Sequence, residues 1–356
     1  MNFLKRLIGM FQDSPCGSAQ PTPAEDPERL RYIRRERFII TDLIAAWLPA
    51  NQQFLILDGG ARSAFDDPRW NAFDPGRMRL FGFEVDVQEC ADLNRLARER
   101  GLDYHYFPLG LWSRPARNTF YENKSSGGGS FFSQNSDFTN RWKFENAEQK
   151  FFAREMFYPT GTTEWDLTSV EVWARNNGVD DLDFMKLNVQ GAELEILKGM
   201  GSLLESVIGI QTEISFVESY RHRPFFTDID AFLRQHHFMF FDLIGHHYIG
   251  RAESPLTARH APGLYPLYGQ LIEGHGVYFK DPIDIVQRGI DISHLSLPKL
   301  LKLICFAEIY GQIEYAFELL YWLGERLRRQ DDVRQAEQIV TLADKALATY
   351  RAYTGG

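Results

Sequence analysis

Residues 183–199, Asp-Phe-Met-Lys-Leu-Asn-Val-Gln-Gly-Ala-Glu-Leu-Glu-Ile-Leu-Lys-Gly, constrain the fold more than any other stretch, because an alternating strand runs straight into an amphipathic helix. Met185, Leu187 and Val189 alternate with Lys186, Asn188 and Gln190, and Leu194, Leu197 and Met200 then take helical spacing. Polar groups cluster at the junction. In a parallel sheet the carboxyl ends of strands and the amino ends of the following helices open into one crevice, which places Asn188, Gln190 and Glu193 toward a ligand.

The flanking sequence repeats the strand-helix alternation. Phe54–Asp58 is a first strand closed by Asp58-Gly-Gly, Arg79–Glu84 a second with an acid at its carboxyl end, and Tyr104–Leu109 a third ending at Gly110. Val87–Arg100 between them reads as a helix closed by Gly101. Residues 164–177 read as another helix, 208–216 as a fifth strand carrying Glu213, 227–236 as a helix, and 238–243 and 269–279 as the last strands. The expected fold is therefore α/β, a mostly parallel, doubly wound, Rossmann-like sheet with helices on both faces. From Leu297 onward only helical periodicity remains, through Leu300, Leu303, Ala307, Leu320 and Leu342. That leaves a C-terminal helical extension over 291–356, either a separate bundle or a lid packed on the domain formed by 28–290.

The amino-terminal 1–27 combines a short apolar stripe (Phe3, Leu4, Leu7, Ile8, Phe11) with a Ser- and Pro-rich linker from Asp13. The stripe permits weak membrane-surface contact, and docking of one short helix is the favoured reading. No apolar run approaches the roughly 20 residues that span a bilayer. The net charge of −9 argues against a nucleic-acid partner, since phosphate binding needs a basic face. Small-molecule or carbohydrate partners remain. Cys16, Cys90 and Cys305 are widely spaced and odd in number, which fits inert thiols in a reducing, cytoplasmic setting. Histidines crowd the last half of the domain without metal-type spacing, so no metal is expected. Nothing in the sequence sets the oligomeric state.

Chemistry concentrates at the strand ends. Glycine at Gly59 and Gly60, after Asp58 and before Ala61, lets the backbone approach a ligand. Arg62 and Ser63 stand where a dinucleotide fingerprint needs further glycines, which disfavours a nicotinamide cofactor. Glu84 is placed to accept hydrogen bonds from both hydroxyls of a ribose, or to cap the next helix. Asn188 and Gln190 are neutral amides that cannot take up a proton, so Glu193 and Glu213 become the candidate bases. Helix-dipole compensation for Glu193 and a salt bridge at the sheet end for Glu213 are equally good readings. His275 sits in the final strand within reach of an acceptor. Ser125–Ser130 is a flexible loop, followed by Phe131, Phe132 and Trp142, whose rings suit stacking on a sugar or packing in a core.

The 183–199 segment resembles the signature of FkbM-type methyltransferases, usually Lys-hydrophobic-Asp-hydrophobic-Glu/Gln-Gly-x-Glu, with Asn188 standing where that family usually has Asp. Asp66-Asp-Pro-Arg-Trp70 and Gly82-Phe-Glu84 extend the resemblance, while Ser63 and Val85 depart from it at a glycine and a proline. In all it covers roughly residues 50–281. The resemblance implies a class I fold that binds S-adenosylmethionine through Asp58, Gly59, Gly60, Ala61, Glu84, Leu109, Gly110 and Asn188. It further implies an acceptor near Gln190, Ser126 and Trp142, with Glu213, Glu193 and His275 as catalytic candidates. The activity implied is O-methylation of a sugar, a glycan or a related small molecule. The alternative is a catalytically silent binding or scaffold protein that keeps the fold.

Overall fold

The computed structural model describes residues 38–62, 68–124, 126–143, 157–251 and 269–354, and residues from Arg37 onward form one compact unit. The amino-terminal stripe, the linker at 13–27, Cys16 and Ser63 lie outside the described residues. The strands are β1 (Phe54–Gly59), β2 (Met78–Phe83), β3 (Asp103–Phe107), β4 (Gly110–Leu111), β5 (Ala116–Asn123), β6 (Trp142–Lys143), β7 (Pro159–Thr168), β8 (Phe184–Leu187), β9 (Gly209–Ser215), β10 (Phe238–Arg251) and β11 (Gln270–Lys280). The principal helices are α1 (Ile39–Trp47), α2 (Val87–Glu99), α3 (Val170–Asn177), α4 (Glu193–Lys198), α5 (Phe226–Gln235), α6 (Leu297–Ile309), α7 (Ile313–Arg329) and α8 (Val333–Thr354).

One large sheet has the order β3-β2-β1-β8-β9-β11-β10-β6. Its first five strands are mutually parallel, and β11 runs antiparallel to both β9 and β10. Local chemistry sets the crossover helices. The Asp86 side chain accepts from the N–H groups of Gln88 and Glu89 to start α2, and Ser169 accepts from Val172 to start α3. Gly178, at φ 66°, ends α3 in the left-handed conformation that glycine adopts without strain.

Period-two alternation gives the sheet two different faces. Leu57, Met185, Leu187, Ile210 and Ile214 pack on Trp173, Leu197 and Leu233 from the crossover helices. Phe54 and Phe184 project to the opposite side and meet α6: Phe306 stacks on Phe184 with centroids 4.7 Å apart, and Tyr310 lies 5.1 Å from the same ring. Every residue of α6 from Lys299 to Ile309 is buried. Two lysines in that helix are held by one acid: Lys299 Nζ donates to Asp183 Oδ1 at 2.7 Å and Lys302 Nζ to Oδ2 at 2.8 Å. Glu308 accepts from the N–H groups of Ile40 and Thr41, fastening α6 to the start of α1, and α8 packs on α7 and α1. The extension thus packs against the sheet.

A second sheet, β4-β7-β5, stands beside the first. It corrects the helix expected over 164–177: residues 164–168 close β7, where Thr163, Trp165 and Leu167 pair with β5 and β4, and helix begins only at Val170. β-Branched and aromatic residues favour the pleated surface, and the helical spacing there was carried by α3 alone. The third strand likewise ends at Phe107, two residues early, because Gly110 and Leu111 pair with β7 instead of continuing it.

Candidate active site

Strand order reverses between β1 and β8, and a cavity of about 370 Å³ opens beyond their carboxyl ends. Gly59, Gly60, Glu84, Leu109, Gly110 and Asn188 line one end of it. Gly60 has φ +77° and donates its N–H to Phe83 O at 3.0 Å, and an added Cβ would lie 2.1 Å from Asn188 O, so only glycine fits there. Asn188 N–H donates to Gly59 O at 3.0 Å, which locks the β1 and β8 turns together. Glu84 Oε1 accepts from Asp86 N–H at 3.0 Å, and Arg62 Nε lies 3.9 Å from Oε2.

Two members of the expected cofactor set sit behind this wall. Asp58 and Ala61 are fully buried and do not line the cavity. Asp58 Oδ1 lies 2.9 Å from Lys186 Nζ, which also donates to Gly60 O at 3.2 Å, so this pair holds the glycine turn from beneath. Both side chains project from the face that carries Phe54 and Phe184, which is why a strand-end acid next to glycine supports the turn instead of meeting a ligand.

Gln190, Glu213, His247, Glu273 and His275 line the other end, and Phe120, Gly127, Gly129 and Phe131 also line the cavity, with the Phe131 ring against Gly110. Gln190 adopts φ 55° and is tied on all sides: its carbonyl accepts from Ser130 Oγ at 2.6 Å, Nε2 donates to Glu213 Oε2 at 3.1 Å, and Oε1 accepts from Tyr220 Oη at 3.1 Å. The buried Arg223 donates to Glu213 Oε1 at 2.8 Å and to Ser219 Oγ at 2.7 Å, with Nη1 3.8 Å from Glu273 Oε2. Burial, with Glu273 and Glu193 close by, pushes Glu213 up to about 8 against the pull of Arg223. Burial also raises Glu193. Burial pushes the part-buried Glu273 up as well, but the hydrogen bond with His247 and the charge of Arg223 outweigh it and hold the carboxyl below its ordinary value.

The other expected residues fall as follows. Glu193 is 1 % exposed and its Oε1 accepts from Val189 N–H at 2.9 Å; it supports the turn from behind and does not line the cavity. Trp142 is a correction: it is buried against Phe138 and Phe157 in a satellite core with Val217 and Tyr220, away from the cavity. An aromatic on a strand edge reads alike for a core and for a stacking platform, and only packing separates the two. Ser126 opens a single 3-10 turn; its side chain lies outside the described residues. Arg223, His247 and Glu273 are not among the site residues that the sequence suggests. Glu273 was findable, since it stands two residues before His275 in the same strand and so shares its face. Arg223 comes from a loop and carries no pattern. Among the described residues no group of three His, Cys, Asp or Glu is arranged to hold a metal ion, and no helix is long and apolar enough to cross a membrane.

A five-stranded parallel sheet in this order, closed by an antiparallel hairpin and opening at its switch point, is the class I methyltransferase fold. The chain belongs to the FkbM methyltransferase family: the model of the methyltransferase FkbM domain matches residues 58–240, more than half of the chain. Among solved structures it is similar to a methyltransferase FkbM from Methylobacillus flagellatus, with 13% identity and a TM-score of 0.33 over 64% of this chain and 43% of that one. It is also similar to a precorrin-6y C5,15-methyltransferase from Geobacter metallireducens, with 11% identity and a TM-score of 0.29 over 71% and 97% of the two chains. A third is M. capricolum TrmK in complex with S-adenosyl-homocysteine, with 9% identity and a TM-score of 0.32 over 86% and 96%. No curated protein matches the chain.

Proposed function

We propose that the protein transfers a methyl group from S-adenosylmethionine to a hydroxyl oxygen of a sugar, a glycan or a related small molecule. The observation that carries this reading is the single cavity joining two unlike ends: a glycine turn beside a strand-end acid, and a polar wall of amides, imidazoles and carboxylates. The first end fits the cofactor. Gly60 lets the β1 turn pack directly on the Asn188 carbonyl at the cavity edge, and Glu84 presents a carboxylate to the cavity with one oxygen held by a backbone N–H.

When bound, S-adenosylmethionine supplies an electrophilic methyl group on a sulfonium. The chain's own residues then have three tasks. Glu84 accepts from the ribose hydroxyls, the Gly59–Gly60 turn and Asn188 receive the rest of the molecule, and Gln190 fixes the acceptor end. Positioning supplies most of what methyl transfer needs, since the reaction requires an acceptor oxygen in line with the breaking bond. Glu213 serves that task by orienting Gln190 and Arg223, and the neutral His275 stands beside it. Phe120 and Phe131 give the cavity an apolar face, beside Gly110, of the kind sugar rings stack against.

Titration with S-adenosylhomocysteine tests the reading. Binding to the folded state is expected to raise the melting temperature by mass action, by about 2.7 kcal/mol of stability at a hundredfold excess over Kd. Glu84→Ala should remove most of the shift while leaving the unliganded transition in place. No shift in the unaltered protein at millimolar ligand would sink the cofactor assignment.

A further inference from the structure

We propose that His247, oriented by Glu273, is the group that receives the acceptor's hydroxyl proton. This rests on the methyl-transfer reading above and assigns a role within the same cavity. His247 Nδ1 lies 2.9 Å from Glu273 Oε1, and both residues line the acceptor end. The contact makes Nδ1 the protonated nitrogen and leaves Nε2 with its lone pair for a ligand. Glu273 is itself held: its side chain is 13% exposed and its second oxygen lies 3.8 Å from the Arg223 guanidinium. The orienting carboxylate is thus fixed by a buried cation on one side and fixes the imidazole on the other.

The remaining groups at this end are less available to take up a proton. Glu213 already receives hydrogen bonds from Arg223 at 2.8 Å and Gln190 at 3.1 Å, one on each oxygen. Burial and the charges of His247, Lys186 and Arg69 push His275 down to about 4, which makes it a weak base. The one Tyr220 O–H is shared between Gly128 O at 2.8 Å and Gln190 Oε1 at 3.1 Å, and burial raises it well above its ordinary value. His247 moves the other way: its hydrogen bond and charge interaction with Glu273 raise it above its ordinary value, which makes it the stronger base of the two imidazoles. In the step, the acceptor oxygen bonds the methyl carbon as the carbon–sulfur bond breaks, with its electron pair left on sulfur. The hydroxyl proton passes to His247 Nε2, and the resulting imidazolium is stabilised by Glu273.

Two measurements on the full-length protein decide the matter. Nitrogen-15 and carbon-13 imidazole NMR is expected to show His247 as the Nδ1–H tautomer, titrating above the ordinary value of about 6.5. In Glu273→Gln, which keeps an acceptor oxygen but loses the charge, the elevation should fall, and in Glu273→Ala the tautomer preference should disappear as well. An Nε2–H tautomer, or a titration unchanged by Glu273→Gln, would overturn the pairing whether or not any acceptor is known. Turnover is read with S-adenosylmethionine on a panel of methyl glycosides, where His247→Gln should lower kcat by about a hundredfold or more with S-adenosylhomocysteine affinity retained. Equal kcat in the variant overturns the proton role. Loss of S-adenosylhomocysteine binding by the unaltered protein would instead overturn the methyl-transfer reading, so the two failures are distinct.

Discussion

His275 lies across from Glu213 in the strand pairing and against Gly245 of β10, with its imidazole pushed down to about 4. An unfolded histidine titrates near 6.5. Between those two values the unfolded chain binds a proton that the folded chain refuses, so stability falls on acidification through that window and levels off below about 4. The loss attributable to this residue is up to about 3 kcal/mol. Urea denaturation of the parent and His275→Asn across pH 4–7 checks it: the variant should show a shallower acid limb, and parallel curves would refute the assignment. Glu213 makes a second prediction at this scale. Glu213→Gln keeps the shape but weakens the hydrogen bonds to Arg223 and Gln190, so methyl transfer should fall more than S-adenosylhomocysteine affinity. Equal losses in the two would place Glu213 in cofactor binding and not at the acceptor.

Among the elements, α6 carries the most unusual burden, because a helix buried along its length brings Lys299 and Lys302 beneath the sheet. Asp183 receives both lysines and also Leu55 N–H at 2.8 Å, so one carboxylate joins α6, β8 and β1. Removing it takes the paired carboxylate from the buried Lys302 and leaves Lys299 with Asp181 at 2.5 Å. Asp183→Ala should therefore cost about 3–5 kcal/mol, the range seen when one partner of a buried ion pair is deleted. Denaturant midpoints at constant slope would measure it, and a loss within 0.5 kcal/mol, roughly the scale of an ordinary surface substitution, would refute it. The same stretch shows what periodicity can reveal about an element. The strand and helix at 183–199 were legible because alternation at Met185 and Leu187 gives way to helical spacing at Leu194 and Leu197. That Asp183, just before β8, is a structural anchor was not legible, since its partners lie 116 and 119 residues away.

Over the whole molecule, α6 to α8 complete the domain. Ending the chain at residue 290 would uncover Phe54, Phe184 and Phe279, remove Tyr310 from Gln211, and leave Asp183 without its lysines. Burial of an aromatic side chain contributes on the order of 2–3 kcal/mol, and several are lost at once against a total stability of about 5–15 kcal/mol. The shortened chain should fail to fold cooperatively, seen as aggregation on gel filtration and loss of a melting transition by circular dichroism. A sharp transition at the parent temperature would show the extension to be a dispensable appendage.

The sequence by itself determined the strand-helix alternation, the parallel sheet and the turn residues at its carboxyl ends, because these depend on spacing over a few residues. Gly60 and Glu84, which line the cavity, could be placed at its mouth for the same reason: each follows directly from a strand end. Tertiary structure alone decided that Asp58 faces Lys186 beneath the turn, that Trp142 belongs to a core, and that Glu193 bonds the backbone of its own junction. It also decided that Arg223 from a loop, Glu273 from β11 and His247 from β10 meet beside Glu213. Those groups lie on separate segments, and which of them share a cavity is fixed by strand register and by the packing of side chains far apart in the chain, information that no local pattern carries.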